Sequence, residues 1–574
     1  MKKNIILIFS AAWFCIPGVS QTPSWQWATG DGGLENELVL NSTTDASGIS
    51  FAVGVYKSPT ITIGTYSFTN MLSNASTNDI FIVKYDASGN VLWAKSAGGR
   101  GNDYAYGVTA DTAGNIYVAG GFGSDTAWFG STVLVNADQN GNGGEDTFLA
   151  KYDPNGNLIW IRKSAGNSFP DYATTVAMDP AGNICIAGTF GIPQVTFGSY
   201  TLNTYLSWGG ANMYVVKYDP SGNVLWAKGA GGGRYDKAYG VTTDASGNIY
   251  VTGAFESTSI NFGTGSLTNT NQSQVSGTDV FLVKYNSSGT TQWARKGGGM
   301  NTDYGRSVKV DPAGDIVIGG DYLSTSIGFG TTIINNTPPG GFDAFLVKYN
   351  SAGTVVWVRA ITGGADEYYH GMVIDLLGNI YSCGSFGSAT AASGPVTLTN
   401  SDASNYYEDL YILKHTASGT ASWGVSAGGQ NRQDVARGID LDATGGIYVA
   451  GNFASPSVPF GSTTLTNTFT GPSSDLFIAR LGTTTGRPDP FSDETLIIYP
   501  NPCTGYLNIT GLPVDRLTTI TMFNAMGSPV AVEGLSTTAT GDDIRLDLYG
   551  LPAGIYLIYI HTGDETHVRK LIKH

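Results

Sequence analysis

A chain of 574 residues with 79 Gly, 31 Tyr and 11 Trp but 13% charged residues favours turn-rich β structure over helical bundles. The formal charge of -15 and a pI near 4.7 exclude a nucleic-acid or anionic-membrane partner, because phosphate recognition needs a basic face and no Lys/Arg cluster supplies one. The first element predicted is a signal peptide over residues 1–20. Lys2 and Lys3 precede an apolar run from Ile5 to Ile16, then Pro17, Gly18 and Ser20, with cleavage expected after Ser20. Cys15 follows Phe14 where a lipobox has a small residue, so lipidation is not expected. No later stretch approaches the ~18 to 20 apolar residues of a membrane-crossing helix. Cys185 and Cys383 fall in the same strand of repeats three periods apart and Cys503 lies elsewhere, so buried free thiols are expected in place of a disulfide framework.

From Trp27 onward one pattern recurs. Trp27, Trp93, Trp160, Trp226, Trp293, Trp357 and Trp423 are spaced by 64 to 67 residues, and seven segments of the type DIFIVKYD open at Asp79, Asp146, Asn212, Asp279, Asp343, Asp409 and Asp475. Alternation within a period reads as four strands, as in AYGVTAD, NIYVAGG, DIFIVKYD and VLWAKSA. The first turn is Asp-x-x-Gly in all seven periods, at Asp45, Asp111, Asp179, Asp244, Asp311, Asp375 and Asp442. There Asp can accept from the backbone two residues on, and Gly takes the positive φ of the hairpin. Seven four-stranded sheets bury both faces if they stack radially, so residues 21–482 are expected to form a seven-bladed β-propeller. The fifth position of the innermost strand is mostly small (Asn41, Gly107, Thr175, Gly240, Ser307, Gly371 and Gly438), as crowding near an axis requires. The last repeat ends at its third strand, so Trp25 to Gly30 is expected to supply the fourth strand of blade seven. Phe-Gly hairpins such as TAWFGSTVLVN are expected on the outer rim.

Over about 460 residues the chain resembles the seven-bladed propeller repeat proteins called SBBP, through GNIYVAG, the Asp-x-Phe-x-x-Lys strand and the GGxxxDYxYGV link. That resemblance implies a fold and is nearly silent on function.

Residues 483–493 read as a polar linker, and residues 494–574 as short alternating strands sufficient for a small Ig-like β-sandwich. This part is similar to the type A C-terminal sorting domain of the type IX (Por) secretion system of the Bacteroidota. The matching residues are Tyr499, Pro500, Asn501, Pro502, Gly505, Gly527, Leu551 to Tyr556 with Gly554 among them, Lys570 and Lys573. The resemblance implies Sec export, passage through the outer membrane by the type IX machinery, removal of this domain, and a secreted or outer-membrane surface location. An ordinary appended Ig-like domain is the alternative.

Candidate chemistry is sparse. Of five histidines, His561, His567 and His574 fall in the C-terminal part, His415 replaces a repeated Tyr, and His370, beside Tyr368 and Tyr369, stands alone on an innermost strand that could face the channel. No HExxH, CxxC or phosphate-binding Gly loop occurs, and no catalytic residue is assigned. Eight residues before each turn aspartate lies another acid: Glu37, Asp103, Asp171, Asp236, Asp303, Glu367 and Asp434. A ring of these carboxylates at one channel mouth suits Ca²⁺; alternatively each acid caps backbone N–H groups of the adjoining link. Asp138, Asn140 and Asn142 begin like a calcium loop, or form a polar turn. Lys84, Lys151, Lys217, Lys284, Lys348, Lys414 and Arg480 on the third strands are expected to be solvated rim residues or interblade partners.

The reading is therefore a monomeric, secreted or cell-surface β-propeller exported by the type IX system. It is expected to bind a glycan or protein ligand without catalysis or an obligate cofactor. The alternative is an extracellular polysaccharide hydrolase or lyase using channel-mouth carboxylates. An enzyme predicts repeat-breaking charged residues converging in one pocket; a binding module predicts near-equivalent repeats.

Overall fold

The computed structural model describes residues 22–482, apart from 73–75, 139–143, 167–169, 192, 205–209, 273–276, 337–339, 403, 470 and 472. Beyond them it describes 497–499, 503–510, 518–524, 529–530, 544–552, 554–562 and 565–573. The expected signal peptide, the expected linker, Asn140, Asn142, Pro500, Asn501, Pro502 and Gly527 lie outside the described residues. Among the described residues there is no helix.

Each repeat folds into one four-stranded antiparallel sheet, a blade. Blade 1 runs from the inner strand Glu37–Thr44 through Ser50–Tyr56 and Asp79–Tyr85 to the outer strand Val91–Gly99. The inner strands of blades 2 to 7 are Asp103–Ala110, Tyr172–Met178, Asp236–Thr243, Asp303–Val310, Glu367–Ile374 and Asp434–Leu441. Each inner strand contacts the next, and that of blade 7 contacts that of blade 1, so seven sheets close a circle. The Asp-x-x-Gly turns work as their chemistry requires: Asp111 Oδ1 accepts the N–H groups of Ala113 (3.0 Å) and Asn115 (2.9 Å), while Gly114 takes φ of 80°.

Seven apolar clusters fill the seven seams between blades. In the first, Phe51, Val53, Ile80 and Ile82 meet Val118, Phe148 and Ala150; in the closing seam, Val39, Phe81 and Val83 meet Ala450, Leu476 and Ile478. A large side chain buried this way contributes about 2 kcal/mol, so the seams hold the ring together. Outer-strand indoles add polar clips: Trp93 Nε1 donates to the Pro154 carbonyl at 3.0 Å and Trp226 Nε1 to that of Ser287 at 3.1 Å, each in the following blade.

The first strand, Ser24–Asp31, pairs antiparallel with Asp475–Gly482 and completes blade 7, as the missing fourth strand implied. Each Phe-Gly hairpin sits between the second and third strands of its blade. Several clasp the preceding blade's outer strand, as Ala127 to Phe129 pair with Ala97 to Gly99, so the hairpins cover sheet edges as well as decorating the rim. Cys185, Cys383 and Cys503 are buried free thiols.

The C-terminal strands form two antiparallel sheets sharing one core. Ile497–Tyr499, Tyr506–Thr510 and Ile544–Asp547 make the first; Pro529–Val530, Thr518–Asn524, Gly554–Thr562 and Glu565–Lys573 make the second. Leu507, Ile509 and Leu546 pack with Ile558, Ile560 and Leu571. Here the Tyr556 hydroxyl donates to the Pro552 carbonyl at 2.8 Å, Gly554 pairs with Lys573, and Lys570 pairs with Leu557.

Candidate functional site: the central channel

Every inner strand carries a β-bulge at the same place. Pairing with the second strand skips one residue between Val39 and Asn41, Ala105 and Gly107, Ala173 and Thr175, Ala238 and Gly240, Gly305 and Ser307, Tyr369 and Gly371, and Ala436 and Gly438. A bulged residue leaves the ladder and its side chain is re-aimed. The seven skipped residues are Leu40, Tyr106, Thr174, Tyr239, Arg306, His370 and Arg437, and all seven line one central cavity of about 760 Å³. The small residue that follows allows this: a Cβ on Gly240 would lie 3.1 Å from the Arg306 carbonyl oxygen and from the Ser307 Cα of the next blade.

The bulge ring is chemically lopsided. Blades 2, 3 and 4 present hydroxyl side chains, Tyr106, Thr174 and Tyr239; blades 5, 6 and 7 present Arg306, His370 and Arg437. Arg306 is paired with Asp321 (Nη2 to Oδ2, 2.8 Å) and lies over the rings of Tyr304 (4.1 Å) and Tyr239 (5.1 Å). Arg437 Nη1 sits 3.3 Å from His370 Nδ1 and 3.4 Å from Nε2, its Nε is buried with no hydrogen-bond partner, and among the described residues it makes no ion pair. Burial first, then the guanidinium charges of Arg437 and Arg306, push His370 well below the ordinary imidazole range, so its ring is neutral. Towards one mouth an aromatic wall continues the ring: Tyr104 stacks on Tyr106 (5.3 Å), Tyr106 meets Tyr172 (5.4 Å), Tyr304 stacks on Phe342 (6.2 Å), and Phe342 meets Tyr368 (5.5 Å).

The seven acids do not ring a channel mouth. Glu37, Asp103, Asp171, Asp236, Asp303, Glu367 and Asp434 are buried and none lines the cavity. Asp103 Oδ2 accepts the Gly99 N–H (2.8 Å) and the Ser124 hydroxyl (2.6 Å); Asp236, Asp303 and Asp434 repeat this with Gly232 and Ser257, Gly299 and Ser324, and Gly429 and Ser455. Glu37 accepts from the Gly33 N–H, Glu367 from the Ser388 hydroxyl, and Asp171 from the Gly191 N–H. The acids point into their blades because the link backbone there would otherwise hold unpaired N–H groups. Burial raises their pKa, to about 8 for Glu37 and Asp303, about 9 for Glu367, about 7 for Asp236 and about 6 for Asp103 and Asp434, and well above the usual range for Asp171. A second acid across the link adds to several of these, as Asp279 does for Asp303.

Among the described residues no three His, Cys, Asp or Glu side chains are grouped to hold a metal ion. Asp138 lines a small surface cavity of about 290 Å³ with Asp125, Glu145 and Asn102. The third-strand cations divide. Lys84 donates to the Pro154 carbonyl of the next blade at 2.9 Å, while Lys217 and Lys348 are buried ion-pair partners of Asp179 (2.7 Å) and Asp311 (2.6 Å) within their own blades, Lys217 also donating to the Ser287 carbonyl of the next blade at 3.3 Å. Burial of those two is a correction to the solvated-rim expectation: the Asp turn supplies each with a carboxylate. His415 is also buried, with Nε2 2.9 Å from the Ser393 hydroxyl.

Fold and channel together define an all-β propeller with a ligand-sized axial cavity, joined to a two-sheet C-terminal region. Residues 92–120 and 225–262 match the family described as Beta-propeller repeat, and residues 497–574 match the Secretion system C-terminal sorting domain. The sorting domain indicates secretion through the type IX system to the cell surface or outer membrane. Among the described residues no helix is long and apolar enough to cross a membrane. Over 459 residues the chain is 26% identical to the uncharacterized WD repeat-containing protein L264 of Acanthamoeba polyphaga mimivirus, covering 66% of this chain and 32% of that one. Over 326 residues it is 25% identical to the Regulatory protein FlaEY of Caulobacter vibrioides, covering 54% and 32%. The chain thus spans 32% of the length of either relative. Among solved structures, Sqt1 from Chaetomium thermophilum is 10% identical with a TM-score of 0.35, covering 80% of this chain and 100% of that one. The Pan2 WD40 domain of Neurospora crassa is 9% identical with a TM-score of 0.28, covering 80% and 96%. At such scores these likenesses carry no argument.

Proposed function

We propose that this is an exported surface propeller that binds a glycan in its central channel and on the aromatic wall at one mouth, without turning it over. The observation that carries the reading is the bulge ring: on a frame repeated seven times, the side chains aimed at the axis change from each blade to the next, with five residue types over the seven positions. Packing alone does not call for such variation, so it marks a ligand site, and the aromatic rings beside it favour binding. Flat aromatic faces beside hydroxyl and guanidinium donors suit sugar rings, which present apolar faces and polar edges. The test is a glycan array probed with the purified full chain and with Tyr304→Ala. Binding that weakens in the variant supports the reading; no glycan retained by the wild-type chain refutes it.

A second reading, an extracellular polysaccharide hydrolase or lyase, draws support from Arg306, His370 and Arg437, which break the repeat and converge in one cavity. The carboxylates first considered for it are buried capping groups, so among the described cavity-lining residues His370 or Asp440 would have to serve as base. A polysaccharide-degradation assay separates the two readings.

A further inference from the structure

The chain carries a net charge of -15, yet one half of its channel ring is built from two guanidinium groups and an imidazole. Their bookkeeping is uneven: the charge of Arg306 is answered by Asp321, while that of Arg437 is answered by no ion pair among the described residues. Glu408 lies within electrostatic range of Arg437 but is held by the Ser385 hydroxyl at 2.6 Å and the Gln433 amide at 3.3 Å. His370, the nearest neighbour of Arg437, is neutral and offers no countercharge. A guanidinium whose Nε is buried and unpartnered is costly in isolation, because its lost hydration is not replaced. An arriving anion would replace it.

We propose that the cationic half of the bulge ring is a carboxylate-recognition site for an acidic sugar. In it Arg437, beside His370 and with Arg306 one blade beyond, takes the carboxylate of a hexuronic acid unit, and Tyr106, Thr174 and Tyr239 across the channel face its hydroxyl groups. This inference rests on the glycan reading above and narrows its ligand class. With Glu408 in electrostatic range but no ion pair at Arg437 among the described residues, a single negative charge suits the site better than a phosphate monoester carrying about -1.5 to -2. The planar fork of Arg437 also suits a two-oxygen acceptor. A cavity of about 760 Å³ accommodates a short oligosaccharide. Elsewhere the acidic surface repels polyanions, so recognition is confined to the carboxylate inserted at the axis.

Calorimetry on the purified full chain tests this with trimers of galacturonic acid, the same trimers reduced at the carboxyl group to neutral sugars, and inorganic sulfate as competitor. The acidic trimer is expected to bind at least about tenfold tighter than the neutral one, and Arg437→Gln to bring that ratio to about one. Arg437→Lys, which keeps a charge but loses the fork, is expected to fall between and serves if Arg437→Gln does not fold. Equal affinity of the two trimers for the wild-type chain, an unchanged ratio in both variants, or displacement of the acidic trimer by an equal concentration of sulfate overturns the assignment. Binding of neither trimer overturns this inference, and the glycan reading falls with it only if the array also retains no glycan; neutral binding without acid preference brings down this inference alone.

Discussion

Arg437 Nη1 approaches both ring nitrogens of His370, at 3.3 and 3.4 Å, across the seam between blades 6 and 7. Two cationic groups cannot share so short a contact in a buried place, so one must be neutral, and the imidazole yields because its proton is the more weakly held. His370 is therefore expected to stay neutral, by NMR of its ring, through the pH range in which an ordinary imidazole takes up its proton. Arg437→Gln removes positive charge beside it, so its pKa should rise towards the usual imidazole range. An unchanged titration would mean that burial alone holds it down.

The buried link acids predict an unusual pH dependence. Glu37 and Asp303 are raised to about 8 and Glu367 to about 9, so near neutral pH the folded chain binds protons that the unfolded chain releases. This contribution is fully present below the ordinary carboxylate range and is lost as pH rises through the folded values. Melting temperature should accordingly fall between about pH 6 and 9. In Asp303→Asn, which cannot lose a proton at that site, the fall should be shallower; a stability that climbs with pH over this range would contradict the assigned protonation.

Ring closure depends on the first strand. Trp25 packs edge-on against Phe460 (4.8 Å) and Trp27 against Tyr448 (6.1 Å), while the strand supplies the last hydrogen-bonded ladder of blade 7. Deleting residues 24–31 is expected to cost at least about 5 kcal/mol, from two indoles and the ladder together, read by chemical denaturation. Loss of less than about 1 kcal/mol would show that the ring is closed without it.

Near the axis, size is the constraint. Gly240→Val places methyl groups against the Arg306 carbonyl and Ser307 Cα of blade 5, where backbone cannot retreat without opening the seam. A destabilisation of about 2 to 3 kcal/mol is expected by thermal or urea melting.

Much of this architecture was legible in the sequence, and the reason is repetition. Seven spaced tryptophans, seven Asp-x-x-Gly turns and a small fifth residue each report a local demand that recurs, and a lone terminal strand has one place to pair. The candidate site was legible only in part. His370 stood out as an individual residue, but nothing singled out Arg306 and Arg437, because a period of two fixes side-chain direction only while the register holds, and the bulge breaks it. The seven entry acids admitted two readings, a cation ring or backbone caps, and their recurrence marks the shared need to satisfy link N–H groups. The signal that would have found the ring is the opposite one: a position just before the mostly small fifth residue, where Leu40, Tyr106, Thr174, Tyr239, Arg306, His370 and Arg437 change in size and charge from one repeat to the next.

A crystal structure of the full chain soaked with a galacturonic acid trimer tests the central claim most directly. The account predicts a sugar carboxylate within hydrogen-bond distance of the Arg437 guanidinium, with sugar rings against the aromatic wall of the same mouth. Sugar bound on the outer rim, with the channel free of it, would contradict it.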